Sequence, residues 1–316
     1  MHSKEKFTKQ MKKIIPLKKT KNYSTKKVGG KAKPIGELIE KNFNVPRGFV
    51  IPTDVFKEIE KENKIEKEIS KILESINKNG MKNLEDGAAI LKQIIKKIEI
   101  PKEIEKEIIE EANRLNVKNF AVRSSAVFED SLNNSWAGEF ETYLYVNVDQ
   151  LINKIKKVWE SLYSERALIY AFNQKIKFQR NMAILIQEMI NSEFSGVCFT
   201  NAPSEINSNS LLIEAILGQG ELLVSGNITP DKYWVNKSKL VIDDIEVSVQ
   251  RMALVNKKLI KIGKRKLNQK IKGIEIIKLS KTFLKIEKIF NKPQDIEWAI
   301  FNNKIYILQS RPLKNV

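Results

Sequence analysis

Cysteine occurs once in 316 residues, and so does histidine. A lone thiol excludes an intramolecular disulfide, and no zinc-ligand spacing is present. Cys198 sits in the apolar stretch FSGVCFT and reads as a buried structural thiol rather than a nucleophile. The one histidine, His2, stands in a basic segment, so no Ser–His or Cys–His pair is at hand for nucleophilic catalysis. Long hydrophobic runs are also missing: none reaches the roughly 18 uninterrupted apolar residues of a membrane span. The N-terminus MHSKEKFTKQMKKIIPLKKTK lacks the apolar core of a signal peptide. A cytoplasmic protein without a membrane partner is expected. There is no GxxxxGK[ST] phosphate loop, and Gly218-Gln219-Gly220 lacks the remaining spacing of a dinucleotide fingerprint.

Acidic residues are in deficit, 38 against 56 Lys and Arg, for a formal net charge of +18. Such a balance favours polyanionic partners, either nucleic acid or phosphates. The lysines, however, are spread along the chain. In EIEKENKIEKEISKIL (58–73) they alternate with glutamates as on a solvated helix face. No RNP-like aromatic motif or recognition-helix signature is present, and nucleic acid is not the expected partner. With 42% hydrophobic and 30% charged residues, the chain belongs among globular proteins. Its length allows one large domain or two packed lobes.

Residues 1–27 carry ten Lys and one Glu and are expected to form a loosely ordered basic arm. VGGKAKPIGELIEKN (28–42) reads as a glycine-rich loop opening a short helix, and GFVIP (48–52) as a strand. Thr53 or Asp54 is placed to cap the next helix. Residues 54–115 show the helical recurrence of Ile and Leu, with Pro101 marking one helix start. Strands are expected at FAVRSS and 141–147, then helices over 149–174. Further strands are expected at 182–189, 194–200 and 211–216, and a helix over 276–290. Two final strands, DIEWAIF and KIYILQSRPL, flank Asn302-Asn303. The pattern predicts an α+β protein of two lobes, 28–180 and 181–316.

Three segments carry chemistry. Gly29-Gly30-Lys31 puts a cation beside flexible backbone at a helix start, a setting that favours an anion but is common by chance. Arg123 lies on an apolar strand ahead of two hydroxyls; its fork suits phosphate oxygens, or an ion pair with Glu129 or Asp130. In DIEWAIFNNKIYILQSRP, Asp295 and Glu297 share one strand face, and Gln309 and Arg311 share a face of the next. Glu297 and Gln309 together suit Mg²⁺, which takes few protein oxygens and completes its shell with phosphates. A strict two-residue turn throughout would pair Glu297 with Leu308. Only a longer loop or a bulge pairs Glu297 with Gln309 and Asp295 with Arg311, so the metal reading requires the odd register.

Six ordered segments together resemble one family: GGKAKPIGEL with VPRGFVIPTDVF, AVRSSAVFEDSLNNSWAGEFETYL, QEMINSEFSGVCFT, IEAILGQGELLVSGNITPDKY and QDIEWAIFNNKIYILQSRPL. Each is similar to a segment of the ATP-binding domain shared by pyruvate phosphate dikinase, phosphoenolpyruvate synthase and rifampicin phosphotransferase, over about Val28 to Leu313. The resemblance implies an ATP-grasp-like fold that clamps ATP and Mg²⁺ between two lobes. By motif position it implies Lys31 and Arg123 on the nucleotide phosphates and Gly138 and Thr142 against them. Gln187 would lie near the adenine or ribose, with Glu297, Gln309 and Arg311 at the metal and phosphate end. Asp295 would be a supporting acid. In the family, ATP phosphorylates a histidine on a separate carrier domain. His2 does not resemble that carrier motif, so the carrier and the acceptor-binding domain are expected on another domain or subunit. The competing expectations are a non-catalytic ATP-binding regulatory or scaffold subunit, and a polyanion-binding protein whose basic surface is its function.

Overall fold

A computed structural model describes residues 13–79, 83–127, 140–173, 178, 180, 182–202, 209–263 and 268–313. The first lobe begins with β1 (Ile15–Pro16), a short 3-10 turn over Leu17–Asn22, and α1 (Thr25–Glu40). There follow β2 (Gly48–Ile51), α2 (Thr53–Glu62), α3 (Glu66–Asn79), α4 (Leu84–Lys97) and α5 (Lys102–Leu115). Then come β3 (Phe120–Ala126), β4 (Thr142–Val146), α6 (Val148–Ser161), α7 (Glu165–Asn173) and β5 (Met182–Glu188). The five strands form one antiparallel sheet in the order β1-β2-β5-β3-β4.

Both faces of this sheet are covered, and the two-residue period decides which residue meets which layer. Phe49, Ile51, Ile184 and Ile186 point into the core under α2–α7, with Phe120 and Val122 of β3. Val50, Ala183 and Leu185 point the other way, against Val28, Ala32 and Ile35 of α1. Burial on both faces explains why GFVI and MAILI are unbroken apolar runs rather than alternating ones. Helix starts match the sequence only in part: neither Thr53 nor Asp54 caps α2, whose N-cap is Pro52, and Thr53 Oγ1 donates instead to the Lys26 carbonyl at 2.9 Å. Pro101 precedes α5, and Asn147 Oδ1 accepts from Gln150 N at 3.0 Å to cap α6.

The second lobe contains β6 (Phe194–Phe199), β7 (Ser210–Leu217), the single turn α8 (Glu221–Val224), β8 (Asp231–Asn236) and β9 (Ile242–Glu246). The hairpin β10 (Met252–Val255)–β11 (Lys258–Lys261), α9 (Gly273–Phe290), β12 (Gln294–Phe301) and β13 (Lys304–Pro312) complete it. Its six-stranded antiparallel sheet has the order β13-β12-β6-β7-β8-β9. Ile276, Leu279, Phe283 and Ile286 of α9 pack on Ile213, Tyr233, Ile296 and Trp298 from the sheet. Cys198 lies in this core, and burial pushes its thiol well above the usual range, as befits a structural cysteine.

The α+β architecture is the expected one, but both expected boundaries move. Residues 13–27 are no loose arm: Ile14, Ile15, Leu17 and Thr20 are buried, and β1 pairs with β2. A division at 180 would give β5 to the second lobe, yet β5 lies between β2 and β3 in the first sheet. The chain therefore crosses between the sheets at 189–193. The glycine pair does open a helix, but a helical turn precedes it: α1 begins at Thr25 and is divided in two at Gly29, with φ 82° and ψ 170°. The helix also reaches across to the second lobe. Leu38 belongs to the core of that lobe, and Ile307 N donates to Asn44 O at 2.9 Å. Among the described residues no helix is long and apolar enough to cross a membrane.

Candidate functional site

The two lobes enclose a cleft of about 700 Å³, within the usual size of small-molecule sites. Lys31, Arg123, Thr142, Gln187, Glu297, Gln309 and Arg311, which the sequence marks as site residues, all line it. Gly138 lies outside the described residues, as do Glu129, Asp130 and His2.

The hairpin β12–β13 sets the geometry of one wall. Asn302 and Asn303, with φ of 49° and 59°, make a tight two-residue turn of the left-handed type that asparagine tolerates. The even register runs from Phe301↔Lys304 to Trp298↔Ile307. Leu308 is then left over in a bulge, and the odd register takes over with Glu297↔Gln309 and Asp295↔Arg311. The bulge lets Ile307 join the core beside Trp298 while Gln309, two residues on, turns to the cleft with Glu297. The register required by the metal reading is thus the observed one, reached by a bulge and not by a longer loop.

Arg123 of β3 crosses to this wall. Its Nη2 donates to Glu297 Oε2 at 2.6 Å and to Gln309 Oε1 at 3.1 Å, and its Nη1 donates to the Leu308 carbonyl at 3.3 Å. Beside it, Arg311 Nε and Nη2 donate to Asp295 Oδ2 at 2.9 and 2.7 Å. Burial pushes the Glu297 carboxyl up, but Arg123, Arg311 and Lys31 outweigh it and hold it below the usual carboxylate range. Lys31 is 7% exposed, with Nζ 3.5 Å from Ser124 Oγ. Three cations, Lys31, Arg123 and Arg311, therefore meet the two carboxylates of Glu297 and Asp295 at this end, a surplus of one positive charge suited to phosphate.

The donor set also fits a hard divalent cation. Glu297 and Gln309 offer one carboxylate and one amide oxygen from adjacent strands, and Mg²⁺ binds few protein oxygens at about 2.0–2.1 Å. Among the described residues no group of three His, Cys, Asp or Glu could hold a metal ion alone, so phosphate oxygens and waters would complete the shell. Arg123 Nη2 now bridges those two oxygens. An ion and the guanidinium cannot share that place, so the metal fits only with Arg123 turned away.

Apolar side chains, among them Ala121, Met189, Ile190 and Leu223, also line the cleft. Gln187 is 2% exposed, and its Nε2 has no hydrogen-bond partner among the described residues. A buried donor left unpaired costs about 1–3 kcal/mol, which a ligand acceptor would recover. Sequence reasoning did not single out Gln219. Its Nε2 donates to Ile190 O at 2.6 Å and its Oε1 accepts from Ser192 Oγ at 3.3 Å, holding the segment where the chain crosses between lobes. The only local signal was a glutamine between two glycines.

Two packed lobes and a cleft between them that is lined by Lys31, Arg123 and Arg311 suit a small phosphate-bearing ligand. Comparison with known proteins makes this specific: the chain belongs to the family described as pyruvate phosphate dikinase, AMP/ATP-binding domain, which it matches over residues 25–316. It is 37% identical over 301 residues to a probable phosphoenolpyruvate synthase of Archaeoglobus fulgidus, covering 92% of this chain and 40% of that protein. A probable phosphoenolpyruvate synthase of Methanocaldococcus jannaschii is 33% identical over 96% of this chain and 27% of its own length. For the phosphoenolpyruvate synthase of Aeropyrum pernix the figures are 31%, 90% and 40%. The chain thus spans less than half the length of these relatives. Among solved structures, D-alanine–D-alanine ligase from Helicobacter pylori aligns at 12% identity over 64% of this chain and 46% of its own, with a TM-score of 0.29.

Proposed function

We propose that this chain binds MgATP in the interlobe cleft, as an ATP-grasp-like clamp, and donates a phosphoryl group to a histidine on a separate carrier domain or subunit. The overall reaction is of the dikinase type: two phosphoryl groups leave ATP as AMP is released, one passing to water as inorganic phosphate and the other, by way of the carrier histidine, to pyruvate, as in phosphoenolpyruvate synthase. One observation carries the reading: Arg123, Lys31 and Arg311 converge on the Glu297–Gln309 pair at one end of the cleft.

Phosphoryl transfer asks the protein mainly for positioning and charge neutralisation. Lys31, Arg123 and Arg311 hold the phosphate oxygens, with Thr142, and Gly138 by its motif, beside them. Asp295 orients Arg311, to which it is already bonded. Glu297 and Gln309 would hold Mg²⁺, which would neutralise charge on the phosphates. Arg123, which in this structure bonds those two oxygens, would contact phosphate when they hold the ion. Gln187 meets the base or ribose.

Calorimetric titration with ATP in Mg²⁺ and then in EDTA tests the site. The expected result is micromolar binding that needs Mg²⁺, weakened at least about a hundredfold by Arg123→Ala or Glu297→Ala in folded protein. Absence of wild-type binding in both conditions, or unchanged binding in both variants, would sink the assignment. Labelled ATP with the carrier then separates the phosphotransferase from a non-catalytic nucleotide-binding subunit, which would bind ATP and label nothing.

A further inference from the structure

The helix that carries Lys31 is broken at Gly29. In a straight helix the Ala32 N–H and the Val28 carbonyl would be i→i−4 partners. Here both meet the same side chain: Ser125 Oγ accepts from Ala32 N at 3.3 Å and donates to Val28 O at 3.1 Å. Ser125 is fully buried on β3, so the bracing atom comes from another element, two residues beyond Arg123. The strand presses directly on the break. A Cβ at Gly29 would lie 1.9 Å from the Ser125 carbonyl oxygen and 2.2 Å from its hydroxyl. Sharp helix bends arise at glycines and where a side chain reaches into the hydrogen-bond ladder, and both occur here. Just past the bend, Lys31 runs inward to the cleft wall it shares with Arg123.

We propose that Ser125 is a positioning residue for phosphate binding: its hydroxyl fixes the break in α1 and, through it, the place of the Lys31 ammonium. This rests on the reading of the cleft as a MgATP site. Lys31 and Arg123 stand on different elements, and two cations that share one phosphate must be held to a fraction of an ångström. Ser125 is the joint that ties the helix of one to the strand of the other. A hydroxyl at this point supplies both a donor and an acceptor, which neither alanine nor valine can do.

A double-mutant cycle on the whole chain tests this, with MgATP affinity read by calorimetry and stability by thermal melts. Ser125→Ala is expected to weaken MgATP about tenfold when Lys31 is present and less than about twofold in a Lys31→Ala background. A purely structural Ser125 would lower the melting temperature and weaken MgATP by the same factor in both backgrounds, and that result would overturn the proposal. If Ser125→Ala does not fold, the cycle is run with Ser125→Cys, which keeps the volume and only a weak donor; coupling to Lys31 is again expected, and its absence counts equally against the proposal. Wild-type protein that binds no MgATP removes the nucleotide reading and this inference together. Wild-type binding with an unchanged Ser125→Ala removes this inference alone.

Discussion

Glu297 and Glu60 are both withdrawn from water, and their surroundings push them in opposite directions. Glu60 in α2 meets Tyr163 OH at 3.3 Å and Arg180 Nη1 at 3.6 Å, yet burial dominates and raises its pKa. At Glu297 burial acts the same way, but the three cations prevail and the pKa is lowered. The two therefore contribute to stability with opposite signs. The Glu297 contribution is present above the unfolded-state value near 4.5 and is lost as pH falls through the lower folded value. The Glu60 contribution is complete below that value and is lost as pH rises through the higher folded one. Urea unfolding from pH 3 to 8 should show Glu297→Gln with a shallower acid loss than wild type. Glu60→Gln should show a shallower loss on the neutral side. Parallel curves for either variant would contradict the assignment of that carboxylate.

At the scale of elements, the β12–β13 hairpin joins a generic device to a specific one. The Asn302-Asn303 turn needs two left-handed residues, so Asn303→Gly should stabilise the protein by about 0.5–1 kcal/mol. A β-branched Asn302→Val should cost about 1–2 kcal/mol. Denaturant melts would measure both, and MgATP affinity should not change, because the bulge at Leu308 lies between the turn and Glu297. The hairpin was legible in the sequence because polar Asp295, Glu297, Gln309 and Arg311 interrupt apolar strands at two-residue spacing. Arg123 was legible for the same reason, although its partners were not: local spacing offered Glu129 and Asp130, and the fold supplied Glu297 from 174 residues away. Gln219 escaped because its bond to Ile190 spans 29 residues and leaves no periodic trace. The break in α1 escaped because Gly-Gly looks like a loop unless the buried strand behind it is known.

The boundaries of the whole molecule were the least legible feature, and the cause is physical. MAILI reads as a strand, but an apolar run buried on both faces matches either sheet, and only pairing with β2 and β3 settles where it belongs. Ile14, Ile15 and Leu17 were hidden by the lysines around them, since composition averages a segment while packing selects single side chains. The bond from Ile307 N to Asn44 O joins the end of the α1 segment to the strand that leads into the Leu308 bulge. That amide is a built-in reporter of how tightly the two halves hold together. Its hydrogen can exchange with solvent deuterium only when the bond to Asn44 opens. In exchange experiments the Ile307 amide should slow on addition of MgATP, while amides in the middle of α9 keep their rates. Equal slowing at both places would mean that the nucleotide stiffens the second lobe as a whole and not the grip between the lobes.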